Sequence, residues 1–273
     1  MTDNKIYTTE ENYEFDDDSL YSFAFCGSSA GIESKFNFLA QKAEPEKWTL
    51  EPNRPNEVLR YYIFYTFRQC KKQNKIVYSD DRKWCCVNTG LLDIYKNDIL
   101  MVFQENNNKG SGNSRDWYLK GFKTNIDRDY MDHFTETPKL ATYTSNFEDY
   151  YFDPEKAIEV NYEHILDDNW ERIHEEINID KSIMKQLLVG IIQNSKKRIQ
   201  RNSRLVVPQL YKNKIMYLLP IDVPVEGDNY ITMALAVEQT PSKNYRANTI
   251  FTKDDAYKKA RLLMKPEANW LIE

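Results

Sequence analysis

Lys197, Arg201 and Arg204 stand at i, i+4 and i+7 on one face of a long helical pattern that runs from about Asp180 to Arg204. A ridge of Lys and Arg offers charge-assisted hydrogen bonds to phosphate oxygens. A second sector of the same helix carries Ile183, Met184, Leu187, Leu188 and Ile191 in its first half and Ser195, Arg198, Ile199 and Asn202 in its second. Burying polar groups is costly unless they find partners. The switch therefore predicts that the helix end leaves the core and borders a solvent-filled, phosphate-tolerant cleft holding Ser195, Arg198 and Asn202. Cations also suit the negative end of a helix dipole. That accounts for part of the charge, but not for Ser195 and Asn202 in the core-facing sector.

The charge around this helix is segregated. The chain has a net charge of −5, yet the stretch from Lys181 to Ile221 holds nine cations and no acid, while Met1 to Asp18 holds seven acids and one lysine. An acid-free stretch in an acidic protein is either a solvated face or a footprint for an anion.

Candidate catalytic residues are sparser. The histidines His133, His164 and His174 lack any metal-ligand spacing, so no metal is expected. There is no GxxxxGK[ST], GxGxxG or GxSxG string, so neither a bound cofactor nor a serine nucleophile is expected. If the chain is an enzyme, Asn88, His164, Arg198, Tyr257 and Arg261 are the residues to line its pocket. Tyr257 and Arg261 are i and i+4 on the last helix, flanking the apolar Ala256, Ala260 and Leu263. They are expected to border the same cleft as Asn88. The 19 tyrosines could stack on bases, but most are ordinary core and surface residues.

The elements that must position these residues form a mixed α+β pattern. Leu20 to Phe25 reads as a short aromatic strand. Helices are predicted over Ser29 to Lys42, from Pro55 in a first turn to Gln73, over Asp180 to Arg204, and over Lys253 to Met264 with Thr252 as cap. Strands are predicted at Lys75 to Tyr78, Lys83 to Val87, Ile99 to Glu105, Asp116 to Phe122, Leu205 to Tyr211, Lys214 to Asp222 and Asn229 to Glu238. Lys212-Asn213 forms a hairpin turn and Val87 to Gly90 ends a strand in a turn. Residues 123–180 read least clearly: a strand at Tyr150 to Phe152 and a helix opened by Pro154. No internal repeat is visible. The expectation is an acidic tail over 1–18 and one α+β domain over 19–273, with a mixed or antiparallel sheet, flanking helices and a C-terminal β-β-β-α unit.

No apolar run reaches the roughly 18–20 residues a membrane helix needs. Cys26, Cys70, Cys85 and Cys86 include no CxxC pair and read as reduced, buried thiols of a cytoplasmic protein.

Several strings together carry a resemblance: Phe23-Ala-Phe25, Leu39-Ala40, Glu46 with Trp48, Leu59-Arg-Tyr-Tyr-Ile63, Thr66-Phe67, Val87-Asn-Thr-Gly-Leu91, His164-Ile-Leu166, Val207-Pro208, Leu218-Leu-Pro220, Ala256-Tyr257, Ala260-Arg-Leu262 and Trp270-Leu271. In this order the chain resembles the bacterial domain-of-unknown-function family 3825, from about Leu20 to Leu271. The resemblance implies a single domain and no known activity. It also implies a link to RNA metabolism, through cold-shock and winged-helix modules found beside such domains. The functional expectation is an RNA- or nucleotide-associated domain that binds phosphate through Lys197, Arg198, Arg201, Arg204, Ser195, Asn202 and Arg261. The alternatives are an enzyme on a nucleotide or phosphodiester, and a protein-interaction module whose acidic tail is partner or mask.

Overall fold

Apolar spacing is realised closely in the N-terminal half. A computed structural model describes residues 17–107, 115–177, 179–225 and 229–272. The acidic tail, apart from Asp17 and Asp18, and most of the Asn106 to Asn113 loop lie outside the described residues. Chain contacts divide the protein into two compact units, residues 1–142 and 143–273.

In the first unit the aromatic segment is not a simple strand. Ser19 Oγ accepts from the Ser22 N–H at 3.1 Å and caps a single turn, α1 (Leu20–Phe23), before the two-residue strand β1 (Ala24–Phe25). Helix α2 (Ser29–Lys42) matches its apolar stripe, burying Ile32, Phe36 and Leu39. Helix α3 (Glu57–Lys72) begins two residues after Pro55, which therefore precedes the first turn instead of entering it. It is buried on nearly all sides, from Val58 to Cys70, as a helix apolar around its circumference must be.

The strands β2 (Val77–Tyr78), β3 (Trp84–Leu92), β4 (Asp98–Glu105) and β5 (Trp117–Thr124) form an antiparallel meander, and β1 joins its far edge parallel to β5. The order is β1-β5-β4-β3-β2. One face packs on the helices, with Phe36 against Phe122 and Phe67 against Phe103 at ring distances of 5.7 and 5.8 Å. On the other face Cys86, Leu100 and Val102 meet Tyr130 and Phe134, from helix α4 (Arg128–Met131) and the turn after it. Adjacent Cys85 and Cys86 point to opposite faces, and both are fully buried because the sheet is covered there on both sides. Burial pushes the Cys26 and Cys70 thiols up to about 12 and the Cys85 and Cys86 thiols upward as well.

Val87 to Gly90 does not end its strand. β3 continues to Leu92 through a bulge between Asn88 and Leu91. Gly90 takes φ +73°, and a Cβ there would lie 2.6 Å from the Tyr62 hydroxyl, which donates to the Thr89 carbonyl at 2.8 Å. Only glycine fits both the dihedral and the space.

The second unit corrects the sequence reading over 143–180. The strand expected at Tyr150 to Phe152 does not form: Phe147–Tyr150 is a 3-10 turn, residues 151–153 have no regular structure, and Pro154 opens a turn, not a helix. Strand β6 (Ile158–Glu159) follows, then α5 (Tyr162–Glu176) and α6 (Lys181–Arg201). The strands β7 (Val207–Tyr211), β8 (Lys214–Pro224), β9 (Tyr230–Gln239) and β10 (Tyr245–Phe251) form a second meander. Positive φ at Lys212 and Asn213 makes the expected tight hairpin. β10 was not anticipated, so the C-terminal unit is β-β-β-β-α, closed by α7 (Lys253–Arg261), with Thr252 Oγ1 accepting from the Asp255 N–H, and a last turn α8 (Asn269–Ile272). β6 lies parallel to β10, giving the order β6-β10-β9-β8-β7. Helices α5 and α6 build one core with this sheet, and no residue of α7 belongs to it. α7 instead packs on β7, β9 and β10 from the opposite face.

The chain thus has α+β architecture built on two mixed five-stranded sheets. Each unit follows the same plan: a two-residue strand, two helices, a four-stranded meander, then a helix on the other face, with identical strand order.

Candidate functional site

Asp180 Oδ1 accepts from the Ser182 N–H at 2.8 Å and starts α6, and the buried stripe runs Met184, Leu188, Ile191, Ile192, Ser195, Ile199. Ile183, expected in the core, is 52% exposed. Ser195 is buried and partnered. Its hydroxyl donates to the Pro220 carbonyl at 2.6 Å. Pro220 lies beyond the last β7–β8 pair, Val207 with Leu218, on the part of β8 that β7 does not cover. Ser195 therefore serves a strand carbonyl from the core side, and does not face a cleft. Ser195→Ala is expected to cost about 1–3 kcal/mol, the usual result of orphaning a buried acceptor. Urea unfolding measures it, and a loss of only a few tenths would remove the bond from the account.

Arg198 and Asn202 do not share that environment. Arg198 is exposed and pairs with Asp222, whose other carboxylate oxygen accepts from Thr232 Oγ1 at 2.8 Å. Asn202 is the exposed C-cap of α6, and its Oδ1 accepts from the Arg204 N–H at 3.2 Å. Arg204 lies in the following 3-10 turn, Ser203–Leu205, so the i+7 position on the helical ridge is lost. The ridge reduces to Lys197 and Arg201, with Arg201 Nη1 donating to the Lys197 carbonyl at 2.7 Å.

Seven of the nine cations lie on α6 or in the turn after it, and these sort by partner. Lys181 and Lys185 pair with Asp167 and Glu163 of α5 at 2.7 and 2.6 Å, which holds the Asp167 carboxyl below its usual range. Lys196 donates to the Lys156 carbonyl at 2.9 Å. Lys197, Arg201 and Arg204 are exposed and have no acidic partner among the described residues.

The catalytic candidates of the second unit are not gathered. Asn88 is 2% exposed in the first unit and organises the β3 bulge: Nδ2 donates to the Pro138 carbonyl at 3.2 Å and to Asp98 at 3.4 Å, while Oδ1 accepts from the Gly90 N–H at 2.9 Å. His164 lies on the outside of α5 with Asp168 at 3.3 Å, both side chains more than half exposed. Tyr257 and Arg261 are buried on α7, across the second sheet from His164. A cleft of about 700 Å³ in the second unit is lined by Tyr230 to Met233 and by Thr252, Lys253 and Asp254, none of them selected from sequence.

One surface escaped sequence reasoning. In the first sheet Trp84, Gln104, Tyr118 and Phe25 are register partners across β3, β4, β5 and β1. They share the face of Cys86 and Val102, opposite α2 and α3. Lys120 Nζ lies 5.9 Å over the Trp84 ring and Lys35 Nζ 5.4 Å over the Tyr118 ring. These residues are scattered from 25 to 120, and only strand register unites them. The one signal in sequence was the abundance of aromatic residues.

The sequence model of the family described as domain of unknown function (DUF3825) matches residues 39–270. No curated protein and no solved structure matches the chain.

Proposed function

The chain belongs to that family of unknown function, and from there we propose that it is an RNA- or nucleotide-binding module that takes phosphate groups on the exposed cations at the end of α6. The supporting observation is that Lys197, Arg201 and Arg204 remain exposed without an acidic partner among the described residues, while the other cations of α6 are engaged. Arg198 is occupied by Asp222, and Ser195 and Asn202 serve the backbone, so the phosphate contacts narrow to three side chains. Catalysis has less support, because Asn88 is committed to a bulge and His164 lies across the sheet from Tyr257 and Arg261. The buried free cysteines suit a reducing, cytoplasmic setting.

Replacing Lys197, Arg201 and Arg204 together by Gln tests this. Gln keeps helix propensity close to that of Lys and Arg. The slope of log affinity against log salt for single-stranded RNA should shrink by about 2, at roughly 0.7 per phosphate contact. An unchanged slope and affinity would make these charges a solvated face.

A further inference from the structure

We propose that the end of this face of the first sheet that carries Tyr118 and Phe25, beyond the part packed against Tyr130 and Phe134, is a stacking site for unpaired bases, so that the ligand is a single strand of nucleic acid and not a duplex. The site goes beyond the phosphate contacts on α6, because it lies in the other unit and uses different chemistry.

The row consists of Trp84, Gln104, Tyr118 and Phe25. Neighbouring strands are about 4.8 Å apart. Trp84 and Tyr118, two strands apart, are therefore roughly 10 Å apart, with the Gln104 amide between them. Phe25, 37% exposed, extends the Tyr118 platform at a ring distance of 6.2 Å. Trp84, Gln104 and Tyr118 are half-buried, so their rings and amide are fixed at the edges while part of each meets solvent. One face of the Trp84 indole is taken by the His133 imidazole, stacked on it at 4.2 Å with 14° between planes, so Trp84 walls the row and the Tyr118 and Phe25 rings are the platforms. A base presents a flat π-face to such rings. Base–aromatic stacking tolerates any sequence, and it requires a base not already stacked within a duplex. Lys120 is exposed and Lys35 is half-buried. Their ammonium groups, held over the rings, answer the phosphates on either side. Gln104 can donate to and accept from a base edge.

The second unit provides an internal control. It has the same strand order, and at the corresponding row positions of β6, β10 and β9 it carries Glu159, Arg246 and Glu238. The plan of the sheet therefore does not require aromatic residues there. Their presence in one unit alone points to a ligand with flat rings.

The experiment uses the full chain with fluorescein-labelled oligouridine and oligoadenosine of about 12 nucleotides, within the span of a single-strand binding site, and with the duplex the two form. Expected are tighter binding of either single strand than of the duplex, and quenching of tryptophan fluorescence by the unlabelled strands. Tyr118→Leu should weaken single-strand binding roughly tenfold, within the range for losing one stacked base, with little change in the salt slope. Phe25→Leu, at a more exposed ring, should weaken it less and keeps the test valid if the Tyr118 variant does not fold. The Lys197, Arg201 and Arg204 triple variant should do the reverse, changing the slope for single strand and duplex alike. Equal binding of duplex and single strand, or wild-type affinity in a folded Tyr118→Leu or Phe25→Leu chain, overturns the stacking site. If the triple variant still weakens binding in that case, the phosphate reading stands alone. If the chain binds none of the three probes, both fall.

Discussion

Gly90→Ala is expected to destabilise the protein by roughly 2–4 kcal/mol, from left-handed strain added to overpacking. The backbone at Gly90 has φ +73°, and the new methyl carbon would lie 2.6 Å from Tyr62 Oη. That hydroxyl cannot simply retreat, because it donates to the buried Thr89 carbonyl at 2.8 Å and belongs to a side chain packed in α3. Tyr62→Phe alone should cost about 1–3 kcal/mol by leaving that carbonyl without a donor. The same change opens space for the methyl introduced by Gly90→Ala. The double variant should therefore lose less stability than the two single variants summed, by at least about 1 kcal/mol. Urea unfolding of the four chains measures the cycle. Additive losses would mean that the clash contributes nothing and that backbone strain alone sets the cost.

What the sequence made legible depended on local regularity. α2 follows from Ile32, Phe36 and Leu39, and the Lys212-Asn213 hairpin from residues that tolerate positive φ. α5 was missed because its apolar stripe, Ile165, Ile173 and Ile177, is interrupted at the position four residues after Ile165 by Asn169. That side chain is 3% exposed. It donates to the Ile165 carbonyl at 2.7 Å and accepts from Thr249 Oγ1 at 2.6 Å. The partner that makes a buried Asn acceptable is 80 residues away, and no local pattern contains it. β10, which carries Thr249, was hidden for a related reason: a register shift between Ala247 and Thr249 breaks the alternation by which a strand is recognised.

The candidate site illustrates the same limit. The polar switch along α6 is plain in the residues, yet its cause is the uncovered carbonyl of Pro220, which only the sheet register reveals. The shared plan of the two units also left no trace as a sequence repeat. Backbone pairing fixes strand order without fixing residue identity, so Phe25 and Tyr118 in one unit can correspond to Glu159 and Arg246 in the other.

Asn88 was a candidate for catalysis, and its structural role predicts a different outcome on substitution. Its amide bridges three groups: the Pro138 carbonyl, the Asp98 carboxylate and the Gly90 N–H. Asn88→Asp keeps the acceptor for Gly90 but replaces the donor with a carboxylate oxygen. That oxygen faces a carbonyl at about the 3.2 Å of the native bond and the Asp98 carboxylate at about 3.4 Å. A buried charge without a partner costs about 3–5 kcal/mol. Burial and the neighbouring carboxylate both disfavour ionisation, so the folded pKa of the new group rises above its unfolded value of about 3.9. The folded state then holds a proton that the unfolded chain releases. The deficit of the variant against the wild type should be largest at neutral pH and shrink as the pH falls through the raised folded pKa. Asn88→Ala loses the same hydrogen bonds without adding charge, and its deficit should be smaller and nearly independent of pH. Unfolding both variants at about pH 7 and about pH 4.5, on either side of the raised folded pKa, separates the two contributions. If Asn88→Asp kept wild-type stability at about pH 7, the bulge would not depend on this amide, and Asn88 would return to the residues available for chemistry.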